Sequence, residues 1–283
     1  MIKLILLAAL SLCTTLPVSK VNLRIFDVHI HGTRDISHQI KALQKAGVYK
    51  AAISTSWEQQ HQYKDQQGIS FLYGLMLPCP NGKVPYSLQP CYSDGGDWPG
   101  LEWTEKQIRE GKVNFLGEIL SQYYGISSSD TLLFPYYALA EKYNIPVGIH
   151  TGGAGPDHGS PNFKMELGSP TYLERCLLAF PKLKVWLMHG GDQFYEEAIS
   201  MLSKHKNVFA DISVISNPDI VSSKRFKQIM SDFIDAGLED QLMFGTDNGD
   251  IEKVVASIEE LPFLSAQQKT RIYYSNAEQF FAR

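Results

Sequence analysis

RIFDVHIHGT, residues 24–33, sets Asp27, His29 and His31 among Phe26, Val28 and Ile30. Side chains alternate across a strand, so an ideal strand here carries the three polar residues on one face and the three apolar ones on the other. Three polar groups on a buried face are unfavourable unless something satisfies them. A divalent metal does so, because neutral imidazole is a common ligand nitrogen. The stretch by itself leaves two other readings open: a polar face in water, or histidines hydrogen-bonded to backbone.

Outward from this strand, short apolar runs alternate with longer amphipathic ones. Strand-like runs are RIFDVHIH, YKAAIST, ISFLYGLML, VNFLGEIL, PVGIHT, KVWLMHGG, VFADISV and QLMFGTD. Their β-branched and aromatic content suits strands buried on both faces. Helical patterns lie between most of them, among them SHQIKALQKAG, LEWTEKQIREGK, FYEEAISMLSKH and FKQIMSDFIDAGLED. The gap around SWEQQHQYKDQQG is the least helical. Gly47 and Gly237 stand where helix C-terminal glycines belong, and Ser169-Pro170 reads as a helix start. Eight strands with intervening helices predict a (β/α)₈ TIM barrel over residues 22–283, a single domain of a size such barrels need. A doubly wound open sheet usually carries a Gly-rich phosphate turn, and GxGxxG is absent.

Barrel active sites form at the C-terminal ends of the strands. Polar residues recur there: His29 and His31 on the first strand, Glu118 on the fourth, His150 on the fifth, His189 on the sixth and Asp247 on the eighth. Singly, each has an ordinary explanation, such as a hydrogen-bonded core histidine or a turn-capping aspartate. Together they ask one end of a barrel to satisfy four histidines and two acids. That requirement predicts a metal site. Mixed nitrogen and oxygen ligands suit Zn²⁺, Mn²⁺ or Fe²⁺ better than Ca²⁺ or Mg²⁺.

Composition sets the frame. The chain has 283 residues, 44% apolar and 20% charged, with net charge −4, which excludes the basic balance of a general nucleic-acid binder. The first twenty residues, MIKLILLAALSLCTTLPVSK, place a lysine ahead of an apolar run from Leu4 to Leu12. This order predicts a signal peptide over residues 1–19 and export to the periplasm or beyond, with Cys13 offering a lipid anchor as a lesser reading. The run is too short for a comfortable permanent membrane span. Cys79 and Cys91 bracket CPNGKVPYSLQPC, where either a short-loop disulfide or two free thiols fit. Cys176 reads as a small core residue.

The DVHIH strand, the histidines ending strands five and six and the aspartate ending strand eight resemble the amidohydrolase superfamily of metal-dependent barrel enzymes. GEILSQYYG, YYALAEKYNIPVGIHTG, GSPTYLERCLLAFPKLKVWLMHGG and LMFGTDNGD followed by IYYSNAEQFF place the chain nearer its amidohydrolase-related branch, from Ile25 to Phe281. The resemblance implies that His29, His31 and Asp247 hold the more buried metal. It implies that His150 and His189 hold a second metal or orient substrate. Many relatives bridge two metals with a carboxylated lysine on the fourth strand; this chain has Glu118, as in relatives that bridge with glutamate. Lys112 lies at the far end of that strand. One metal or two stays open.

The implied activity is hydrolysis of an amide, lactone or ester of a small molecule. The metal acidifies water, and Asp247 takes the proton and returns it to the leaving group, with His189 beside it. Trp57, Tyr123, Tyr124 and the loop GGAGPDHGSPNFKMELG follow strands two, four and five, and are expected to line the pocket. His158 in that loop reads as solvent-exposed. Single-metal decarboxylation of an unsaturated or aromatic acid is the alternative, ahead of phosphoester cleavage and of a non-catalytic metal or ligand binder. Relatives often pair, so a homodimer is admitted without a nominated surface.

Overall fold

The computed structural model describes residues 23–64, 66–153 and 157–282. The signal-like segment 1–19, with Cys13, lies outside the described residues. Local chemistry sets the element ends. The helix Ile36–Ala46 begins where the Asp35 side chain accepts from the His38 N–H, and ends at Gly47 with φ 96°. A Cβ on Gly47 would stand 2.0 Å from the Leu23 carbonyl oxygen, so this turn requires glycine. Ser169 caps the 3₁₀ turn Pro170–Leu173 by accepting from the Thr171 N–H.

Eight parallel strands follow one another around a single sheet: β1 Ile25–His31, β2 Val48–Ser54, β3 Ser70–Leu77, β4 Phe115–Ile119, β5 Val147–His150, β6 Val185–Met188, β7 Val208–Asp211 and β8 Leu242–Met243. The Val28 N–H donates to the Phe244 carbonyl at 2.9 Å, and the Asp247 N–H to the His29 carbonyl at 2.8 Å. The chain around β8 therefore meets β1 and closes the ring. This is the (β/α)₈ barrel expected from the alternation of strand and helix patterns. Among the described residues, the weakly helical gap between β2 and β3 holds only the short helix Trp57–Gln60 and the 3₁₀ turn His61–Tyr63. No helix among the described residues is long and apolar enough to cross a membrane.

Two apolar layers hold the barrel. Ile25, Ile30, Ile53, Leu116, Ile119 and Val147 face outward against the helices. Phe26, Val28, Ala52, Phe115, Trp186, Met188, Phe209 and Met243 fill the lumen, with Phe280 and Phe281 closing the same cluster. The fit is close enough that a Cβ on Gly148 would lie 2.6 Å from the Trp186 ring. The lumen is thus packed solid below the mouth.

Two strands break their alternation just below the mouth. On β1 the pairing steps three residues from Asp27 to Ile30 while β2 steps two, from Ala51 to Ile53. On β4 the step is three from Leu116 to Ile119, against two on β5 from Val147 to Ile149. Each bulge inserts one residue and reverses the face on which the later side chains of its strand lie. The reversal corrects one expectation: Asp27 does not share a face with His29 and His31. Phe26 and Val28 are in the lumen, and Asp27 lies on the opposite side of β1, accepting from the His29 N–H (3.1 Å), the Thr246 N–H (3.1 Å) and the Thr246 hydroxyl (2.7 Å). Its carboxylate fixes backbone rather than an imidazole ring. Burial pushes its pKa up to about 7, against those hydrogen bonds.

Candidate metal centre

Both bulges deliver side chains to the mouth. After the first, His29 and His31 face inward; after the second, Glu118 does, although strict alternation from Phe115 would turn it toward the helices. His150 ends β5, His189 follows β6 and Asp247 follows β8. His189 and Asp247 hold φ of 67° and 48°, a left-handed backbone that costs on the order of 1 kcal/mol or more and recurs at functional sites.

The six expected residues meet in one space. His31 Nε2 is 2.8 Å from Asp247 Oδ1 and 3.6 Å from Glu118 Oε2. His29 Nε2 is 3.8 Å from Asp247 Oδ1. On the other side, His150 Nδ1 contacts Glu118 Oε1, and His189 Nε2 lies 3.6 Å from that oxygen and 3.3 Å from His150 Nδ1. The donor atoms of His29, His31 and Glu118 fall within 4.8 Å of one another, as do those of Glu118, His150 and His189. Glu118 belongs to both groups.

The outer ring nitrogens fix the tautomers. His29 Nδ1 lies 3.1 Å from Asp211 Oδ2, and His31 Nδ1 lies 2.8 Å from the Ser54 carbonyl. Both acceptors demand an N–H at Nδ1, which leaves Nε2 with its lone pair aimed into the shared space. His189 Nδ1 faces the Ser213 hydroxyl at 3.0 Å, and that hydroxyl donates to Asp211 at 2.5 Å. His29 Nε2 and His150 Nε2 are buried without a hydrogen-bond partner. Imidazoles oriented in this way, with two carboxylates among them, fit a divalent cation.

Electrostatics agree. Burial opposes the charge of Glu118, yet the His150, His189 and His31 rings hold it well below the usual range. Asp247 is likewise drawn to about 2 against burial, by His31 and His29. Burial would discharge His29, but Asp211 and the two site acids carry it up to about 10. His31 is raised by Asp247 and Glu118, again against burial, whereas at His150 burial prevails and lowers the pKa. The acids remain ionised and draw positive charge into the cup, as protons or as a cation.

A cavity of about 370 Å³ opens above the cup, and His31, Glu118, His150, His189 and Asp247 line its floor. Of the three residues expected to touch substrate, Tyr123 lines it. Trp57 and Tyr124 are not among its lining residues; they pack on Trp103 and Trp98, with ring centroids 4.7 and 5.4 Å apart. His158, expected in solvent, is on the cavity wall, as is Tyr86, whose hydroxyl is 2.6 Å from His31 Nδ1. Tyr86 rides on the loop between β3 and β4, in which Cys79 and Cys91 form a disulfide.

Asp211 is one site residue that sequence reading missed, as it missed Tyr86 and Ser213. Fully buried, Asp211 accepts from the His189 N–H, the Ser213 N–H and the Trp186 indole besides facing His29. The signal was an acid inside the apolar run VFADISV, two residues beyond the lumen residue Phe209.

The sequence model of the family described as Amidohydrolase matches residues 97–283. A comparison with curated proteins finds no significant match. Among solved structures, an uncharacterized TIM-barrel protein from Bordetella bronchiseptica superposes with TM-score 0.64 at 18% identity, covering 91% of this chain and 98% of its own. 4-Oxalomesaconate hydratase from Rhodopseudomonas palustris gives 0.61 at 17%, covering 91% and 95%. A dihydroxybenzoic acid decarboxylase from Polaromonas, with manganese and the inhibitor 2-nitroresorcinol bound, gives 0.60 at 12%, covering 91% and 96%. At these identities the likeness is one of fold.

Proposed function

The chain belongs to the amidohydrolase family, whose members are metal-dependent enzymes, and from that premise we propose that it hydrolyses an ester, lactone or amide of a small molecule with two divalent cations, which His29, His31, Glu118 and Asp247 on one side and Glu118, His150 and His189 on the other would hold. One observation carries the choice: Glu118 is shared by the donor groups His29–His31–Glu118 and Glu118–His150–His189. Asp247, 2.8 Å from His31 and 3.8 Å from His29, completes the first of them. The imidazole and carboxylate set suits Zn²⁺, with Mn²⁺ or Fe²⁺ as alternatives.

A divalent cation held there would supply Lewis acidity, which lowers the pKa of water toward about 7 and polarises a carbonyl oxygen. The chain's own groups do the rest. Asp247, ionised and at the cavity floor, accepts the proton from the attacking water and returns it to the leaving oxygen or nitrogen. His189, held through Ser213, faces the same space and keeps the substrate carbonyl in place. Asp211 fixes the ring of His29 directly and that of His189 through Ser213.

Elemental analysis of protein purified without chelator, and of Glu118→Gln, tests the reading. Two cations per chain, falling to one or none in the variant together with esterase or lactonase activity, is the expected result. One cation per chain would favour the alternative, decarboxylation of an aromatic or unsaturated acid. The manganese-bound decarboxylase of the same fold supports keeping that reading. Turnover lost in Asp247→Asn with metal retained would tell against a non-catalytic binder.

The signal-like residues 1–19 and the Cys79–Cys91 disulfide support an exported protein, in the periplasm or secreted, since disulfides persist in oxidising compartments. A homodimer stays an expectation from the resemblance.

A further inference from the structure

The cavity above the cup has walls of one chemical character. Tyr86 and Tyr123 flank His158, with ring centroids 6.2 and 6.1 Å from its own. Phe163 backs Tyr123 at 4.9 Å. Ser87 and Asn248 add neutral polar groups, and the carboxylates are the floor residues Glu118 and Asp247. No lysine or arginine is among the described residues that line the cavity.

A substrate carboxylate remote from the reacting carbonyl would enter this space without a guanidinium or ammonium to meet it. Proteins that bind such a group specifically use the planar fork of arginine or an equivalent cation. Phenol, imidazole and carboxamide groups do not replace the hydration that a buried anion loses, and the floor acids together with any cations they hold belong to the reacting carbonyl rather than to a remote carboxylate. Flat aromatic faces instead favour a ring, stacked or edge-on.

We propose that the substrate is a flat, uncharged ester, lactone or amide whose ring lies against Tyr86, Tyr123 and His158, and that a second, non-reacting carboxylate excludes a molecule from the site. The proposal rests on the hydrolase reading above and adds the substrate class to it.

Matched pairs test it on metal-loaded protein, because both members carry the same scissile bond and differ only in remote charge. Phenyl acetate is compared with 4-acetoxybenzoate, dihydrocoumarin with a ring-carboxylated dihydrocoumarin, and acetanilide with 4-acetamidobenzoate. In any pair that is turned over, kcat/KM for the neutral member should exceed that of the carboxylate by about tenfold or more, the discrimination expected when a buried polar group finds no partner. Ser87→Arg, which brings a cation to the wall, should shrink or reverse that ratio. Equal kcat/KM within a pair, or preference for the carboxylate in the unmodified protein, overturns the proposal and leaves the hydrolase reading standing. Turnover of none of the six compounds by protein that holds its metal brings down the hydrolase reading, and this proposal with it.

Discussion

The lower and upper halves of the barrel are built from the same strands by opposite rules. In the lower half, Phe26, Phe115, Trp186, Phe209 and Met243 point inward at strict two-residue spacing and fill the lumen with apolar volume. In the upper half, bulges on β1 and β4 interrupt the spacing, and His29, His31 and Glu118 take the inward positions. Only two residues separate Phe26 from His29. Below that boundary a side chain is worth what it removes from water, roughly 1.5–3 kcal/mol for a large apolar group. Above it, buried polar groups oppose folding unless they are paired. The chain resolves the conflict by pairing the outer nitrogens and leaving the inner ones for a cation. Regularity belongs to the scaffold and its interruption to the site.

The sharpest way to break this comparison is to alter one member of each half. Asp247→Asn should lower kcat/KM by about 10²–10⁴, the range for loss of a positioned general base, while the denaturation midpoint moves little. Steady-state kinetics beside equilibrium unfolding measure both. Phe26→Ala should do the converse. It empties a fully buried lumen position packed on Phe281 at 5.2 Å, and should cost about 3–5 kcal/mol of stability. Activity per folded molecule should stay within severalfold of the parent. If Asp247→Asn unfolds the chain, or Phe26→Ala abolishes turnover in protein shown to be folded, the two halves are not separable in this way.

The same division explains what the sequence disclosed. Eight apolar runs and their intervening helical patterns needed only periodicity, so the barrel was legible. His150, His189 and Asp247 were legible because each directly follows such a run. Glu118 was placed in the mouth from its position near the strand end, yet its inward direction depends on a bulge that periodicity does not reveal. The first bulge hid the true direction of Asp27 in the same way. Asp211 escaped because one acid within an apolar strand has the signature of many buried hydrogen-bonded residues. Trp57 and Tyr124 were assigned from loop order alone, but their rings found other aromatic partners, Trp103 and Trp98. Loop geometry, which sequence spacing does not encode, also brought Tyr86 and His158 to the wall.

A third prediction concerns the rim that braces the upper half. The Cys79–Cys91 disulfide spans a sequence separation of 12, and closing a loop of that length restricts the unfolded chain by about 3 kcal/mol. Reductant, or Cys91→Ser, should therefore lower the melting temperature. The Tyr86 hydroxyl, carried within that loop, lies 2.6 Å from His31 Nδ1, so KM should rise while the lumen keeps its protection from hydrogen exchange. Equal melting in oxidising and reducing buffer would remove the disulfide from the account of stability.

The smallest expected effect is the most informative about how the halves are joined. Asp211 stands on the boundary: the Trp186 indole of the lumen donates to its Oδ2 at 3.3 Å, and His29 Nδ1 of the cup meets the same oxygen at 3.1 Å. Burial resists its charge, but His29 and His189 hold its pKa below the usual range, so it is an acceptor at neutral pH. As an acceptor it keeps the His29 proton on Nδ1 and the lone pair on Nε2. Asn in its place offers an amide N–H as well as a carbonyl, and an N–H turned toward Nδ1 would move the ring proton to Nε2, into the cation's position. Metal affinity in Asp211→Asn should fall about 10–100-fold, the usual effect of losing a carboxylate behind a ligating histidine. Competition with a metal indicator on otherwise folded protein measures it. Asp211→Glu, which keeps the charge but displaces it, separates the two contributions. If affinity recovers in the glutamate variant, charge is what holds the tautomer; if it falls as far as in the asparagine variant, the distance between Asp211 and His29 is what matters.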